Sequence, residues 1–570
     1  YIVSNYVKIC FMYKHGELLR TLLEKRGITN AEQAEIFLSP NYERDLHDPF
    51  LMRDMEKACV RLYEAIDNDE KIVIYSDYDC DGIPGAVILE DLLKKINYKN
   101  YEIYIPQRNS EGYGLNMGAI KQFVSSGTKL LITIDLGITA VAEVAQAEVD
   151  GIDVIITDHH LSKDVLPRAY AILNPKVDDY PEKMLCGAGV VFKFVQGFVK
   201  KYGNTNKNFK IDDGWEKWML DMAGLATLSD MVPLLGENRA IAYFGLKVLR
   251  KSPRPGLQKL LGKMNIDQRY ITEDDITFMV APRLNAASRM DDPRRSYEIL
   301  STEDNVKAGE LANHLSKIND ERKTIVLSIM KEVKKNFEKR EIGEVIVVGN
   351  PKWRVGVLGL VAGKIMDEYQ RPVFVWGQDE NDCLKGSCRS DGIVSMVELM
   401  METKESFLEF GGHEMAGGFT VVNEKIHFLE KDLSASYIQI KKGQSLKNLE
   451  RTVLSKVDIE GDLSLVNMKN WKEIEKLAPF GLANHKPVFL FSGVKIENIK
   501  KFGKNGSGEH LEITFFDAHN NKAKAISFFS GINSFKDTLM EGNKVNLSAT
   551  FDLSRFRGRE ELRLRSVDIF

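Results

Sequence analysis

Three apolar runs in the first third of the chain each end abruptly in acids. KIVIYSDYD, LLITIDLG and DVIITDHH start with β-prone residues and then break into Asp, Gly or His, and YEIYIP lies between the first two. The segments between them, such as AVILEDLLKKI and MGAIKQFVSSG, carry apolar residues at helical spacing. Strand, helix and strand in alternation predict a parallel sheet with helices on both faces. Ligands of such sheets sit outside the carboxyl ends of the strands, where all three acidic runs fall.

The same patterning predicts the domain organisation. Residues 1–55 read as a helical lead-in with the Leu-rich LLRTLLEKRG, and residues 56–300 as the first α/β domain. Residues 301–343 carry a charged, helix-period run, STEDNVKAGELANHLSKINDERKTIVLSIMKEVKKNFEKR. It reads as a long connecting helix or, more plainly, as an amphipathic helix inside one domain. A second, smaller α/β domain spans 344–430, with EVIVVGN as strand, GVLGLVAGKIMDEY as helix and RPVFVWG as strand. Residues 431–454, with the polar KKGQSLKNLERT, read as a linker, and 455–570 as short strands of a β-barrel. No internal repeat is present.

The chemistry lies in the acids. Asp77, Asp79 and Asp81 follow the first strand, Asp135 the second, and Asp158 with His159 and His160 the third. Each group alone fits an ordinary turn, cap or surface position. Together, at three strand ends, they form a crowd of carboxylates that would repel one another unless cations sat among them. Oxygen and imidazole donors without thiolates suit Mn²⁺ or Mg²⁺ rather than structural zinc. A two-metal site of this kind hydrolyses phosphoesters.

Composition narrows the class. The chain has 570 residues, 44% of them hydrophobic, ample for several cores. Its six cysteines are scattered without a C-x-x-C pair, against a zinc ribbon or a disulfide framework. Cys80, between two acids, fits a packed thiol better than a ligand. The opening YIVSNYVKICFMY is short, interrupted by Lys8 and unlike a signal peptide, and no long apolar stretch suggests a membrane span. The expected location is cytoplasmic.

A net charge of −4 is a blunt measure, because it counts the acids of the site. Local basic stretches remain: Arg289 with Arg294 and Arg295, KVLRKSPRPGLQKLLGKM, Lys500, Lys501 and Lys504, and Arg555, Arg557, Arg559, Arg563 and Arg565. Each is either a solvated face or part of a nucleic-acid groove. Phe502 and Phe556 among them either stack on bases or are buried.

At this point the motifs carry a resemblance. DYDCDG, IDLG and TDHH, in that order, resemble motifs one to three of the DHH phosphoesterase superfamily. LATLSDMVPLLGENRA resembles the fourth, with Asp230 as its acid, and APRLNAASRM the motif that follows in the RecJ family of single-strand-specific 5′→3′ exonucleases. RPVFVW, GSCRS and GGHEMAGG resemble a DHHA1 domain, and LAPFGLANHKPVF the entry to the RecJ oligonucleotide-binding barrel. The resemblance covers essentially the whole chain, including LLEKRGITNAEQAEIFLSP and LHDPFLMRDM. Pro84, Leu136 and Ser288 stand where the family usually has a small hydroxyl residue, Asn and Gly, and none is a metal ligand.

The resemblance implies an α/β fold: a parallel-sheet DHH domain, a connecting helix, a smaller DHHA1 domain and a C-terminal OB-fold barrel. It implies two divalent cations, Mn²⁺ preferred and Mg²⁺ allowed, with Asp135 bridging, Asp79 on one ion, and Asp81, His159 and Asp230 on the other. Asp77 and Asp158 are ligands or supports of ligands. His160, with Asp158 and Arg289, is placed in catalysis, His160 contacting the scissile phosphate or protonating the leaving oxygen. Arg283, Asn285 and Arg289, in a loop, contact the strand. Ser387 and Arg389 hold the 5′-terminal phosphate on a Gly-rich turn, and Gly411, Gly412 and His413 form a second such turn near the metals. Phe502, Arg555, Phe556 and Arg557 are the expected barrel contacts. The implied activity is release of 5′-mononucleotides from single-stranded DNA with a free 5′ end, in recombination and repair. A single-stranded-DNA-binding protein and a RecQ-type helicase are the implied partners, and a monomer suffices. Two other functions stay open on the residues: a small-substrate oligoribonuclease or cyclic-dinucleotide phosphodiesterase, and a non-catalytic single-strand-binding scaffold. The barrel speaks against the first and the retained acids against the second.

Overall fold

The computed structural model describes residues 16–108, 110–204, 209–338, 340–443, 457–503, 510–528, 535, 539–555 and 560–570. The chain divides into two compact units: Asp48–Asp230 with Gly245–Thr452, and Tyr1–His47 with Met231–Phe244 and Val453–Phe570. No helix among the described residues is long and apolar enough to cross a membrane.

The first sheet of the larger unit holds β1 (Ile72–Ser76), β2 (Tyr101–Tyr104), β3 (Leu130–Ile134), β4 (Asp153–Thr157) and β5 (Ala171–Leu173). All pair in parallel, in the order β2-β1-β3-β4-β5. IVIYS and LLITI are buried at every position, because helices cover both faces. Val73, Tyr75, Leu131, Val154 and Ile156 pack on helices Met117–Ser125 and Val141–Val149. On the other face Ile134 meets Gly85 of helix Gly82–Lys95, where a Cβ would lie 2.7 Å from Ile134 Cγ2 and 3.4 Å from Val191 Cγ2 of helix Gly187–Tyr202. The chain passes from β1 to β2 on one side and returns to β3 on the other. This order leaves a topological switch point between β1 and β3, where a crevice opens at the strand ends.

The second sheet of this unit holds β6 (Ile346–Gly349), β7 (Val373–Gln378), β8 (Leu384–Arg389), β9 (Phe407–Gly412) and β10 (Ala416–Val421), in the order β6-β7-β8-β10-β9. Helix Asn305–Phe337 runs for 33 residues, about 50 Å. Asp304 caps it by accepting from Val306 and Lys307 N–H. It packs against helices Ala281–Met290 and Leu358–Tyr369 within the unit.

In the smaller unit, β12 (Phe489–Phe502), β13 (His510–Phe516), β14 (Lys522–Ser527), β16 (Glu561–Ile569) and β15 (Lys544–Ser554) pair in that order, and β12 pairs with β15 to close a barrel. β11 (Ile459–Gly461) adds to β12. Phe489, Phe491 and Phe515 are fully buried in its core, each worth about 1.5–3 kcal/mol.

Several sequence expectations need correcting. The helix Glu17–Lys25 of the lead-in packs Leu19, Leu22 and Leu23 into the same core as the barrel phenylalanines. The lead-in is therefore split: residues up to His47 go with the barrel and Asp48 onward with the larger unit. An amphipathic helix shows that it has a core but not whose core it is. Met231–Phe244, inside the span read as the first domain, also belongs to the smaller unit. The linker starting at 431 is helical through the first part of its length: Leu429–Gly443 is a helix whose Leu429, Leu433 and Tyr437 enter the core under the second sheet. Its many polar residues hid a four-residue apolar spacing. Residues 444–454 of that span lie outside the described residues. RLNAASR is helical, within Ala281–Met290, preceded by a π turn at Ile276–Val280. GSCR, residues 386–389, is the end of strand β8 rather than a turn, with Gly386 demanded by the Phe419 ring, which a Cβ would meet at 2.1 Å. FGG and AGG are the arms of the β9–β10 hairpin.

Candidate active site

Each acidic run continues its strand by one ladder bond. Asp77 N–H donates to Ile134 O at 3.1 Å, Asp135 N–H to Thr157 O at 2.9 Å, and Asp158 N–H to Leu173 O at 3.0 Å. The acids are thereby carried to the crevice at the β1–β3 switch point. Asp135 has a left-handed backbone (φ 62°). Close approach of two helix starts requires glycine: a Cβ on Gly82 would lie 2.6 Å from Asp77 O, and one on Gly187 2.6 Å from Asp135 Cβ. Pro84 falls in the first turn of helix Gly82–Lys95, where a missing N–H is tolerated. Leu136 is buried with Ile138 in the sheet's core, and Ser288 Oγ–H donates to Asn285 O at 3.2 Å.

The carboxylates are individually oriented. Asp79 Oδ1 accepts Asp81 N–H at 2.8 Å and Gly82 N–H at 3.3 Å. Asp81 accepts Gly187 N–H at 2.6 Å and Ala188 N–H at 2.8 Å, at the start of helix Gly187–Tyr202. Asp158 Oδ1 accepts the N–H groups of His159 (2.7 Å) and His160 (3.0 Å) and lies 2.8 Å from His160 Nδ1, while Oδ2 accepts Ile138 N–H at 2.9 Å. Asp158 is thus fully engaged in holding the two histidines. His159 Nε2 stands 3.2 Å from Asp135 Oδ1 and 3.6 Å from Asp81 Oδ2, and its Nδ1 is 3.9 Å from Asp230 Oδ2.

Burial, then the charge of Asp79, pushes the Asp77 carboxyl well up. Burial and the other acids do the same to Asp135. Burial and Asp79 raise Asp81 to about 6 against the pull of the Gly187 and Ala188 amides. Asp230, whose side chain keeps 30% of its surface exposed, is also raised, by loss of water and then by Asp81 and Asp79. Asp158 goes the other way: burial opposes its charge, but the His160 hydrogen bond and charge hold it below the usual range. Burial and His160 bring His159 down to about 3, so it is a neutral imidazole with a lone pair to offer. For His160 burial lowers the pKa, and the hydrogen bond to Asp158 more than reverses that.

The donors fit divalent cations. Asp77 Oδ1 and Asp135 Oδ1 are shut from solvent and accept no hydrogen bond. Among the described residues, ligand atoms converge in three sets: Asp77 with Asp79 and Asp135, Asp81 with His159 and Asp230, and Asp135 with His159 and His160, each within 4.8 Å. Asp135 is common to two of them and His159 to two. Buried acids with raised pKa, unused oxygens and a neutral imidazole make a donor set for a hard cation.

Facing these acids lies a row of guanidinium groups. Arg389 Nη1 donates to Ser387 Oγ at 3.1 Å and to Cys388 O at 2.7 Å. A Cβ on Gly359, in the first turn of helix Leu358–Tyr369, would come within 3.0 Å of Arg389 Nη2 and 3.1 Å of Ser387 Oγ. The hollow left there combines a helix N-terminus, a hydroxyl and a guanidinium, the groups that cradle a phosphate. Arg289 Nη1 donates to Gly356 O at 3.3 Å. Burial, then the charges of Arg108, Arg322 and Arg389, depress Arg289. Asn285 Oδ1 accepts Cys80 N–H at 2.9 Å, so it holds the DYDCDG turn. Cys80 is buried, its thiol donating to Ser229 Oγ at 3.4 Å. Arg283 Nη1 donates to Met279 O at 2.7 Å.

His413 sits at the tip of the β9–β10 hairpin, beside Gly411 and Gly412, and its ring lies over His160 (centroids 6.2 Å apart, 17° between planes). Gly412 has φ 146°, and a Cβ there would strike Ala416 O at 2.4 Å. Loss of water and then the charges of His160 and Lys176 keep His413 low.

On the barrel, Phe502 is 44% exposed and its ring is 5.3 Å from His510, which is 5.5 Å from Phe528, over which Arg565 lies at 5.3 Å. Arg555 Nε–H donates to Glu560 at 3.0 Å. Phe556 and Arg557 lie outside the described residues.

Sequence reasoning missed several contributors. Arg108, in the loop after β2, stacks over Tyr78 at 5.2 Å and reaches Arg289 and Arg389 by charge. Tyr113, 54% exposed between Gly112 (φ 81°) and Gly114 (φ 95°), donates its hydroxyl to Asp135 O at 3.1 Å. Lys176 is felt by Asp230, Asp158 and Asp135. His510 and Phe528 extend the aromatic row that begins at Phe502. Only the Gly-Tyr-Gly run carried a sequence signal, since paired glycines around an aromatic mark a held turn.

A parallel sheet with acids at its switch point, joined to a second α/β sheet, defines the DHH class. Residues 71–227 match the DHH family, N-terminal domain, 342–436 the DHHA1 domain and 457–568 the RecJ OB domain. The single-stranded-DNA-specific exonuclease RecJ of Bacillus subtilis (strain 168) is 33% identical over 555 residues, 97% of this chain and 67% of that protein. The protein of the same name from Haemophilus influenzae is 29% identical over 567 residues, 96% of this chain and 95% of that one. The Mn²⁺ complex of RecJ from Thermus thermophilus superposes with a TM-score of 0.79 at 23% identity, covering 100% of this chain and 78% of that one. Its Mg²⁺ complex gives 0.73 at 22%, covering 100% and 76%. The chain belongs to the RecJ family of single-stranded-DNA-specific exonucleases.

Proposed function

We propose that the chain is a 5′→3′ exonuclease for single-stranded DNA that releases 5′-mononucleotides by two-metal hydrolysis. The observation that carries this reading is the juxtaposition of two sets of groups in one unit: unused buried carboxylate oxygens at the β1–β3 crevice, and a guanidinium-lined hollow beside Ser387.

Asp77, Asp79 and Asp135 would hold one divalent cation, and Asp81, His159 and Asp230 the other, with Asp135 shared. We take Mn²⁺ as the preferred ion and Mg²⁺ as usable; the Thermus protein has been seen with either. Bound there, such ions supply a hydroxide near neutral pH and stabilise charge on the phosphate under attack. Asp158 fixes His160 through Nδ1, which leaves Nε2 to contact the scissile phosphate or give a proton to the leaving oxygen. Ser387, Arg389 and Arg108 would hold the terminal 5′-phosphate, with Arg289 between them and Asp79. A strand anchored by its end phosphate next to the reacting centre is cut a fixed, short distance from that end, which sets the polarity. His413, whose ring stacks on His160, and Tyr113, whose ring meets it edge-on, both line the site. Phe502 and its aromatic neighbours would grip the strand by stacking without base readout, which favours processive and salt-sensitive action.

We place the reaction in recombination and repair, in the cytoplasm, by a monomer working with a single-stranded-DNA-binding protein and a RecQ-type helicase. The deciding experiment is product analysis with Mn²⁺ on single strands labelled at either end. Mononucleotides released progressively from the 5′ end, with duplex spared, are expected. Hydrolysis of dinucleotides alone, or of nothing, would overturn the reading.

A further inference from the structure

One ammonium group in the crevice stands without a counter-ion among the described residues. Strand β5 ends at Leu173, whose carbonyl accepts Asp158 N–H at 3.0 Å, and the chain then runs through Asn174 and Pro175 to Lys176. Val177 N–H closes this turn on Asn174 O at 3.1 Å. Asn174 is fully buried. Its Nδ2 donates to His160 O at 3.0 Å, and its Oδ1 accepts Lys176 N–H at 2.9 Å. A single carboxamide thus ties Lys176 to the backbone of His160.

Lys176 is half-buried. Its ammonium group forms no ion pair among the described residues, although the charges of Asp230, Asp158 and Asp135 reach it. Loss of water lowers its pKa, and those three acids oppose the shift. Beside the larger effect of burial, its own charge is felt at His159, His160 and His413.

A half-buried ammonium without a partner is costly, because it is a compact and strongly hydrated charge. The acids around it have other uses. Asp230 and Asp135 belong to the converging donor sets, and Asp158 is engaged by the two histidines. Once cations occupy those sets, the counter-charge left for Lys176 is an anion that enters the crevice from solution. In a phosphodiesterase site that anion is a phosphate. The turn fixes which one: Lys176 is held to His160, the group set against the phosphate under attack, and acts on His413, whose ring is stacked over His160. The end-phosphate hollow has its own cations in Arg389 and Arg108.

We propose that Lys176 is a catalytic residue whose ammonium contacts a non-bridging oxygen of the phosphate under attack, with Asn174 positioning it beside His160. It neither gives nor takes a proton. It offsets the charge that gathers on the non-bridging oxygens as the attacking oxygen bonds to phosphorus and the leaving oxygen departs. A DNA strand as the substrate rests on the nuclease reading; the role of the lysine requires only a phosphodiester.

The test compares the full chain with Lys176→Gln at saturating Mn²⁺ on two substrates: a 5′-phosphorylated oligothymidylate, and bis(p-nitrophenyl) phosphate, a phosphodiester with neither strand nor end. Mn²⁺ affinity without substrate is measured by calorimetry. The variant should lose about 10- to 100-fold in kcat and as much in kcat/KM on both substrates, the range for one charge-assisted hydrogen bond. Mn²⁺ should bind the variant at least as tightly as wild type, since a like charge has gone from beside the ions. Lys176→Arg, which keeps the charge, should retain part of the lost rate. Unchanged kcat on both substrates would overturn the assignment. So would a loss confined to KM, which makes Lys176 an ordinary strand contact, or a loss of Mn²⁺ affinity, which makes it a support of the acids. Should Lys176→Gln not fold, Lys176→Met carries the same comparison. Hydrolysis of the small diester that the variant slows, with nothing released from the 5′ end of the strand, would keep the lysine and remove the nuclease. Cleavage from the 5′ end that the variant leaves untouched would do the reverse, and a wild type inert on both substrates would overturn both.

Discussion

Asp158 Oδ1 lies 2.8 Å from His160 Nδ1 and also takes the backbone N–H groups of both histidines. The pair explains why His160 is raised while His159, whose ring centroid is 4.6 Å away, is held neutral. A cationic His160 is present below its raised pKa and is lost as pH rises through it. Activity should therefore fall on the alkaline side. Asp158→Asn should lower kcat by about 100-fold and move that limb to lower pH. A limb that stays in place in the variant would remove His160 from the chemistry.

Asp135 contributes to two of the converging ligand sets. Asp135→Ala should reduce cleavage by at least about 100-fold while strand binding stays nearly intact. Full activity in this variant would refute the shared-ligand assignment.

The raised acids make a prediction for stability without metal. A carboxyl whose folded pKa lies above its unfolded value holds its proton more tightly when folded. Its stabilising contribution is present in acid and is lost as pH rises through the folded pKa. For Asp81 that window runs from about 4 to about 6, and Asp77 and Asp135 act in the same direction. In chelator, Tm should fall as pH rises across this window. Added Mn²⁺ should raise Tm by about 5 °C or more at pH 8 and much less at pH 5, where protons compete. A Mn²⁺ effect that is the same at both pH values would contradict this.

Arg389→Ala should erase a preference for a 5′-phosphate, a loss on the order of tenfold in KM. If 5′-phosphorylated and 5′-hydroxyl strands still differ as in wild type, the end pocket lies elsewhere.

Phe502→Ala should weaken binding of long strands by about 5- to 100-fold, the range for one stacked base, and spare dinucleotide hydrolysis. This is a cleaner probe than cutting the chain near residue 450, because truncation would strip Leu19, Leu22 and Leu23 of the core they share with the barrel. Equal losses on long and short substrates would make Phe502 a folding residue.

The acids at the strand ends were legible because period and position suffice: an apolar run buried on both faces must end in the crevice, whatever lies around it. The corrections have a common cause. RLNAASR has no strong breaker, and its Pro falls in the first turn, so it folds as helix where an Arg-rich motif suggested a loop. Residues 429–443 look polar because most of their surface is, although Leu429, Leu433 and Tyr437 suffice to bury one face. Arg108 and Lys176 carry no local pattern, since a charge becomes part of a site only through what packs opposite it.

The elements, the carboxylate set and its suitability for hard cations were written in the chain itself, because they depend on local periodicity and on the chemistry of single side chains. Folding then settled which oxygens stay without donors, which histidine is held neutral and which is made more basic, and which arginines crowd together. Those properties arise from desolvation and from distances between residues far apart in the chain, and no spacing along the sequence encodes them.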